Sequence, residues 1–262
     1  VVYHIAGCGQ CEHCRRGYAV ACSGPQRAAY GWQRDGGHAP YLLAEEVSCL
    51  PLPDELSFAD GALVSCGFGT AYEALLRAGA GGQDRLLVTG LGPVGLATAM
   101  LGRALGVSDV IGSDVSASRR EMALRLGLVG AAVGPDDLDD AVAARTAGRG
   151  CEVSVECSGN GSARVSALRN TRSWGRCVFV GEGGDVTFAV SDLLIHRQIT
   201  LYGSWVTSLL HMDQLLERLA RWRLHPEVIV THRFGLDQAD EAYRVAASGA
   251  GGKVCLVPNP AQ

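Results

Sequence analysis

"VTGLGPVG", Val88–Gly95, decides how the rest of the chain is read. It stands between an apolar run, "RLLVTG", and a stretch with helical spacing, "GPVGLATAMLGRALG". Its glycines fall at Gly90, Gly92 and Gly95, spaced G-x-G-x-x-G. The pattern alone is weak, but a strand before it and a helix after it give each glycine a distinct role. Gly90 permits a tight turn, Gly92 lets the backbone approach a pyrophosphate, and Gly95 lets helix pack on strand. Pro93 and Val94 open the helix, whose first N–H groups and positive dipole end suit phosphate. The spacing predicts cofactor contacts at Gly90, Gly92, Pro93, Val94 and Gly95.

Asp114 ends the next apolar run, nineteen residues after Gly95. A carboxylate there accepts hydrogen bonds from both adenosine ribose hydroxyls and repels a 2′-phosphate, which favours NAD over NADP. Arg119 and Arg120 pull the other way, since arginine binds phosphate well. Read as part of a solvated helix face, they leave NAD favoured, with Arg119 kept as a cofactor contact. A methyltransferase also uses a glycine turn and a ribose-binding acid, so the glycines alone name no reaction.

Outward from the turn, strand and helix alternate. "DVIGSD" reads as a strand and "SASRREMALRLG" as a helix, while "CEVSVECSG" and "RCVFVGEGG" repeat a strand ending in glycine. Such alternation argues for an α/β fold, a doubly wound parallel sheet of Rossmann type, over residues 57–205. Upstream, Ser57 and Asp60 stand as a capping box before a helix. Residues 1–56 read as short strands and turns. Residues 206–262 hold an amphipathic helix, "LHMDQLLERLARWRL", then "EVIVTHRF", a short helix and a closing strand, "KVCLVP".

The first segment carries "GCGQCEHCRRGYAVAC", with Cys8, Cys11, Cys14 and Cys22 spaced C-x2-C-x2-C-x7-C. Three short steps and a longer return suit four thiolates wrapped around one ion. Zinc takes such a set at about 2.3 Å in a closed tetrahedron, which is structural and leaves no position for substrate. A disulfide cluster needs an oxidising compartment, and no signal peptide is visible. The bacterial iron–sulfur run ends C-x3-C-P, unlike this one. Cys49, Cys66, Cys151, Cys157, Cys177 and Cys255 are scattered, and each starts as a small buried hydrophobe.

Composition limits the classes. The 262 residues are 47% hydrophobic and 19% charged, a globular balance. The net charge of −4 gives no basic footprint for nucleic acid, so none is expected as partner. No apolar run is long enough for a membrane span. A cytoplasmic location is expected. The opening "VVYHIAGCG" has no methionine and reads as the inside of a strand, which suggests a cut.

A cysteine lobe followed by a dinucleotide fold resembles the zinc-dependent medium-chain dehydrogenase/reductase family, alcohol dehydrogenase-like. The resemblance runs through "DGGHAPYLLAEE", "SCGFGTAYEAL", "VTGLGPVGLATA", "ECSG", "LYGSW", "VTHRF" and "GGKVCLVP", besides the four cysteines. It implies that residues 1–56 and 206–262 form an incomplete GroES-like β-barrel catalytic domain. It implies structural Zn2+ on Cys8, Cys11, Cys14 and Cys22. It makes Cys66 the third ligand of a catalytic zinc, and Thr70 a residue touching the nicotinamide. Cys157 to Gly159, and Val180, Gly181 and Glu182, at strand ends, are expected to line the cofactor's path. The family's other two catalytic ligands lie upstream of the cysteine lobe, and the seven histidines fall outside the matching positions. The chain is therefore expected to be a fragment or a truncated relative that holds catalytic zinc poorly.

The activity so implied is hydride transfer between a primary or secondary alcohol, or a polyol, and NAD. Competing readings are a non-catalytic nucleotide-binding relative and a zinc-independent quinone or enoyl reductase. The family also implies a homodimer or homotetramer, through the sheet edge near "VTFAV" and "ITLYGSW".

Overall fold

In the computed structural model, residues 1–249 and 251–258 are described. They form two compact units: Val1–Gly69 with the residues from Val206 onward, and Thr70–Trp205.

The first unit opens with β1 (Ile5–Ala6), antiparallel to β2 (Ala28–Ala29), and between them the one-turn α1 (Glu12–Arg15) carries part of the cysteine lobe. α2 (Phe58–Leu63) begins on the expected box. The Asp60 N–H donates to Ser57 Oγ at 3.1 Å, and the Ser57 N–H donates to Asp60 Oδ2 at 3.0 Å. Each side chain satisfies a backbone donor that the helix start leaves open. A π-helical turn, Val64–Phe68, then leads without a break into α3 (Gly69–Ala78), where the sequence predicts only a plain helix.

The second unit is a six-stranded parallel sheet. Its strands are β3 (Arg85–Thr89), β4 (Asp109–Ser113), β5 (Ala131–Val133), β6 (Cys151–Glu156), β7 (Thr171–Phe179) and β8 (Thr200–Gly203). Between them run α4 (Pro93–Ala104), α5 (Ala117–Arg125), α6 (Leu138–Thr146) and α7 (Gly161–Asn170). The order β5-β4-β3-β6-β7-β8 is the doubly wound one, with its switch point between β3 and β6. β6 is buried at every residue, as expected of a parallel strand covered on both faces. α4 is buried from Gly95 to Gly102, so no amphipathic period marks it. The sheet's edges are β5 and β8. "VTFAV" (186–190) lies outside the sheet, so of the two segments expected at an edge only "ITLYGSW" supplies a strand.

The chain returns to the first unit with α8 (Leu209–Trp222), β9 (Val230–Phe234), α9 (Ala239–Ser248) and β10 (Lys253–Leu256). α8 buries Met212, Leu215, Leu216 and Leu219, one stripe at helical spacing. β9 and β10 pair in parallel. Among the described residues this unit thus holds two two-stranded sheets, a partial strand set and not a closed barrel. Among the described residues no helix is long and apolar enough to cross a membrane.

Candidate functional site

The glycine turn sits at the carboxyl end of β3. Gly90 takes φ +89°, where a side chain is strained, and its N–H donates to the Ser113 carbonyl at 2.7 Å. A Cβ on Gly95 would stand 1.8 Å from the Gly90 carbonyl oxygen, so helix and turn touch through bare backbone. Pro93 occupies the first helical position of α4 and no side chain caps the helix at Gly92. The first-turn N–H groups are therefore left to an anion, which is the fit a pyrophosphate requires.

Asp114 closes the turn from the side. Its Oδ2 accepts from the Leu91 N–H at 2.7 Å and its Oδ1 from the Ser116 N–H at 2.8 Å. A carboxylate has about four acceptor sites, so both oxygens retain capacity for ribose hydroxyls. Arg119 does not lie on a solvated face. Its guanidinium stands 3.7 Å from Asp114 and its Nε is buried without a hydrogen-bond partner. Arg120 is spent on backbone, donating to the carbonyls of Asp114 and Val115 at 2.7 and 3.1 Å.

Gly90, Asp114 and Arg119 line one open cleft of about 210 Å3. Its other walls include Val115, Pro135, Leu138, Ser158, Asn160 and Ala163, an apolar slot with a polar rim. Of these six, Ser158 falls in the Cys157–Gly159 span expected to line the cofactor's path, and the other five carry no signal singled out in the sequence. The signal available was the loop after β6, where Asn160 Oδ1 caps α7 by accepting from the Ser162 N–H at 2.9 Å. Cys157 does not line this cleft. Its thiol turns to Thr98 of α4, 3.6 Å away, and burial pushes it up to about 12. Val180 is buried, and its N–H and that of Gly181 both donate to the Glu156 carbonyl, at 2.9 and 3.0 Å. Neither lines this cleft.

In the other unit the four cysteines converge. The thiol sulfurs of Cys8, Cys11, Cys14 and Cys22 all lie within 4.8 Å of one another, Cys8 and Cys14 at 4.0 Å. A zinc tetrahedron with bonds of about 2.3 Å has edges of about 3.8 Å, so the set fits the ion with a small contraction. Backbone N–H groups already favour negative sulfur: the Cys14 N–H holds Cys11 down at about 6, and those of Gln10 and Cys11 lower Cys8. Burial pushes Cys14 up to about 12. A cation reconciles these opposed tendencies, because metal binding takes the thiolates and releases the protons.

Cys66 is exposed, on the π-helical turn, and Thr70 follows in the first turn of α3. Among the described residues the four-cysteine cluster alone brings three or more potential ligands together. A catalytic zinc with three protein ligands does not fit the residues around Cys66. Cys151 and Cys177 are packing cysteines, buried and pushed up to about 12.

A family model for zinc-binding dehydrogenases matches residues 93–221. The chain is 50% identical over 258 residues to an uncharacterized zinc-type alcohol dehydrogenase-like protein, YphC, of Escherichia coli strain K12, covering 98% of this chain and 73% of that one. It is 30% identical over 255 residues to an L-threonine 3-dehydrogenase of Shewanella woodyi, covering 97% and 73%. Among solved structures it is similar to the alcohol dehydrogenase TADH from Thermus sp. ATN1, with a TM-score of 0.86, 26% identity, and 98% and 76% of the two chains covered.

Proposed function

Because this chain belongs to the zinc-binding dehydrogenase family, we propose that it is an oxidoreductase that moves a hydride between an alcohol and NAD. The observation that carries the reading is the Gly90–Gly95 turn closed by Asp114, with an uncapped helix start beside it. Gly90, Gly92, Pro93, Val94 and Gly95 would hold the pyrophosphate by backbone. Asp114 would accept from the ribose hydroxyls, and its negative charge disfavours a 2′-phosphate. Arg119, with an unpartnered Nε beside that carboxylate, would steady a phosphate. Bound NAD supplies the hydride chemistry, and the chain holds and orients it. Thr70 would touch the nicotinamide. The structural zinc would sit on Cys8, Cys11, Cys14 and Cys22. The relative named as a threonine 3-dehydrogenase supports a secondary alcohol as substrate class, since its name places the oxidised carbon inside the chain of threonine.

A second reading is favoured by Cys66, which stands outside any cluster of three ligands among the described residues. On it the chain binds the nucleotide and does no alcohol chemistry. One experiment separates the two: titration with NADH and NADPH, then NAD reduction followed with primary and secondary alcohols and added zinc. The oxidoreductase reading expects NADH to bind at least tenfold tighter than NADPH and a secondary alcohol to drive reduction. NADH binding with no reduction under excess zinc gives the second reading. Binding of neither dinucleotide sinks both.

A further inference from the structure

The nucleotide reading leaves one buried charged pair without a role, formed by Arg164, in the first turns of α7, and Glu156, the last residue of β6. A cation near a helix N-terminus stands against the helix dipole, so its position needs compensation. Arg164 finds it in the loop after β7. Its NH1 donates to the Gly184 carbonyl at 2.5 Å, and its NH2 donates to those of Gly181 and Gly183 at 2.7 and 2.6 Å. Its Nε faces Glu156 Oε2 at 3.7 Å as an ion pair, and neither atom has a hydrogen-bond partner among the described residues.

Glu156 meanwhile holds the loop after β6. Its Oε1 accepts from the N–H groups of Ser158 and Gly159 at 2.6 and 2.9 Å, and from Ser158 Oγ at 2.5 Å. One ion pair, with side chains 11% and 0% exposed, therefore grips two neighbouring strand-end loops, each by several bonds. The loops also touch directly: a Cβ on Gly181 would stand 2.0 Å from the Gly159 nitrogen.

The place of these loops gives the grip a purpose. A dinucleotide in such a sheet lies across the carboxyl ends of the strands. With adenosine at Asp114, beyond β4, the other half passes over β3 and β6 toward β7, three strand spacings or about 14 Å away. We propose that Arg164 is a positioning residue: it fixes the Gly181–Gly184 loop as the wall against which the nicotinamide half of the cofactor is held. The proposal rests on the dinucleotide reading above. Arg164 does not line the adenosine cleft, and the Ser158 loop that does is held by Glu156 Oε1, whose bonds do not involve Arg164. Loss of Arg164 frees the Gly181–Gly184 loop and spares the adenosine half of the ligand. Lysine keeps the charge but gathers its donors on one nitrogen, without the planar fork whose two nitrogens reach these three carbonyls.

The test compares ADP, which carries only the adenosine and phosphates, with NADH, on the 262-residue chain and its Arg164→Gln and Arg164→Lys variants. Expected is an ADP Kd within about twofold of the parent in both variants. The NADH Kd should rise at least tenfold in Arg164→Gln and by a smaller factor in Arg164→Lys. ADP binding doubles as the check that a variant is folded, and if Arg164→Gln does not fold, Arg164→Lys alone decides. An unchanged NADH Kd, or ADP and NADH weakened in parallel, overturns the positioning role and leaves the dinucleotide reading standing. A parent chain that binds neither ligand overturns that reading, and the proposal with it.

Discussion

Gly92 and Gly95 look alike in the sequence and differ in what they resist. A methyl on Gly95 would meet backbone, the Gly90 carbonyl oxygen at 1.8 Å and its carbon at 2.8 Å. Neither can step aside without moving the turn, so Gly95→Ala is expected to cost roughly 2–3 kcal/mol of stability, as overpacking does. Gly92 has φ −68°, which alanine adopts freely, and a methyl there would approach only the end of Arg119, at 3.8 Å. Gly92→Ala should leave the urea midpoint nearly unchanged while weakening NADH binding about tenfold, because the methyl fills the space the pyrophosphate needs. Urea melts and NADH titrations of the two variants check this; equal stabilities, or equal affinities, would refute the division of labour. The spacing already assigns Gly95 to packing and Gly92 to the ligand, and the distances add how unequal the cost of a methyl is at the two. At Cys157–Gly159 the strand-end span is legible and Ser158 does line the cleft, but the turn of the Cys157 thiol away toward Thr98 is not.

At the scale of elements, β3 and β6 are joined at their starts by charge. The Arg85 guanidinium and backbone N–H donate to Glu152 at 2.8–3.1 Å, next to the ladder pair Leu86 and Val153. Burial works to raise the Glu152 carboxyl, but these donors outweigh it and hold the group down at about 2. An unfolded glutamate titrates near pH 4.3, so the stabilisation is complete above that pH and is lost as pH falls from about 4 to about 2. Glu152→Gln should accordingly be less stable than the parent at about pH 6. It should lose less between about pH 5 and about pH 2.5, as read from urea midpoints at the three pH values. Parallel curves would mean that the pair adds nothing. Elements with a strong pattern are readable, such as β3, whose apolar run precedes glycine, and α8, whose buried stripe recurs at helical spacing. β5 escapes because three residues, Ala131–Val133, carry no period. The π turn at Val64–Phe68 escapes because one extra residue in a helical run leaves no mark on composition.

For the molecule as a whole, the metal content follows from which side chains converge. Four thiols within 4.8 Å make one closed site, whereas Cys66 stands in no group of three ligands among the described residues. Spacing alone announces the first site, because its ligands come from one short segment and local chain geometry brings them together. A site assembled from distant segments has no such signature, and Cys66 enters only through resemblance. The chain should therefore carry about one zinc, measured by mass spectrometry of the native protein and by elemental analysis. Cys14→Ser, which removes one of four thiolates, should lower that content below half. Cys66→Ser should leave it unchanged, since that sulfur lies outside the cluster. About two zincs per chain, with one lost on Cys66→Ser, would mean that Cys66 gathers ligands in solution that this arrangement does not bring together. The hydride step could then be assigned to a metal as well as to the nucleotide. One zinc, insensitive to Cys66, would confine the metal to the lobe and rest any alcohol chemistry of this chain on the nucleotide site alone.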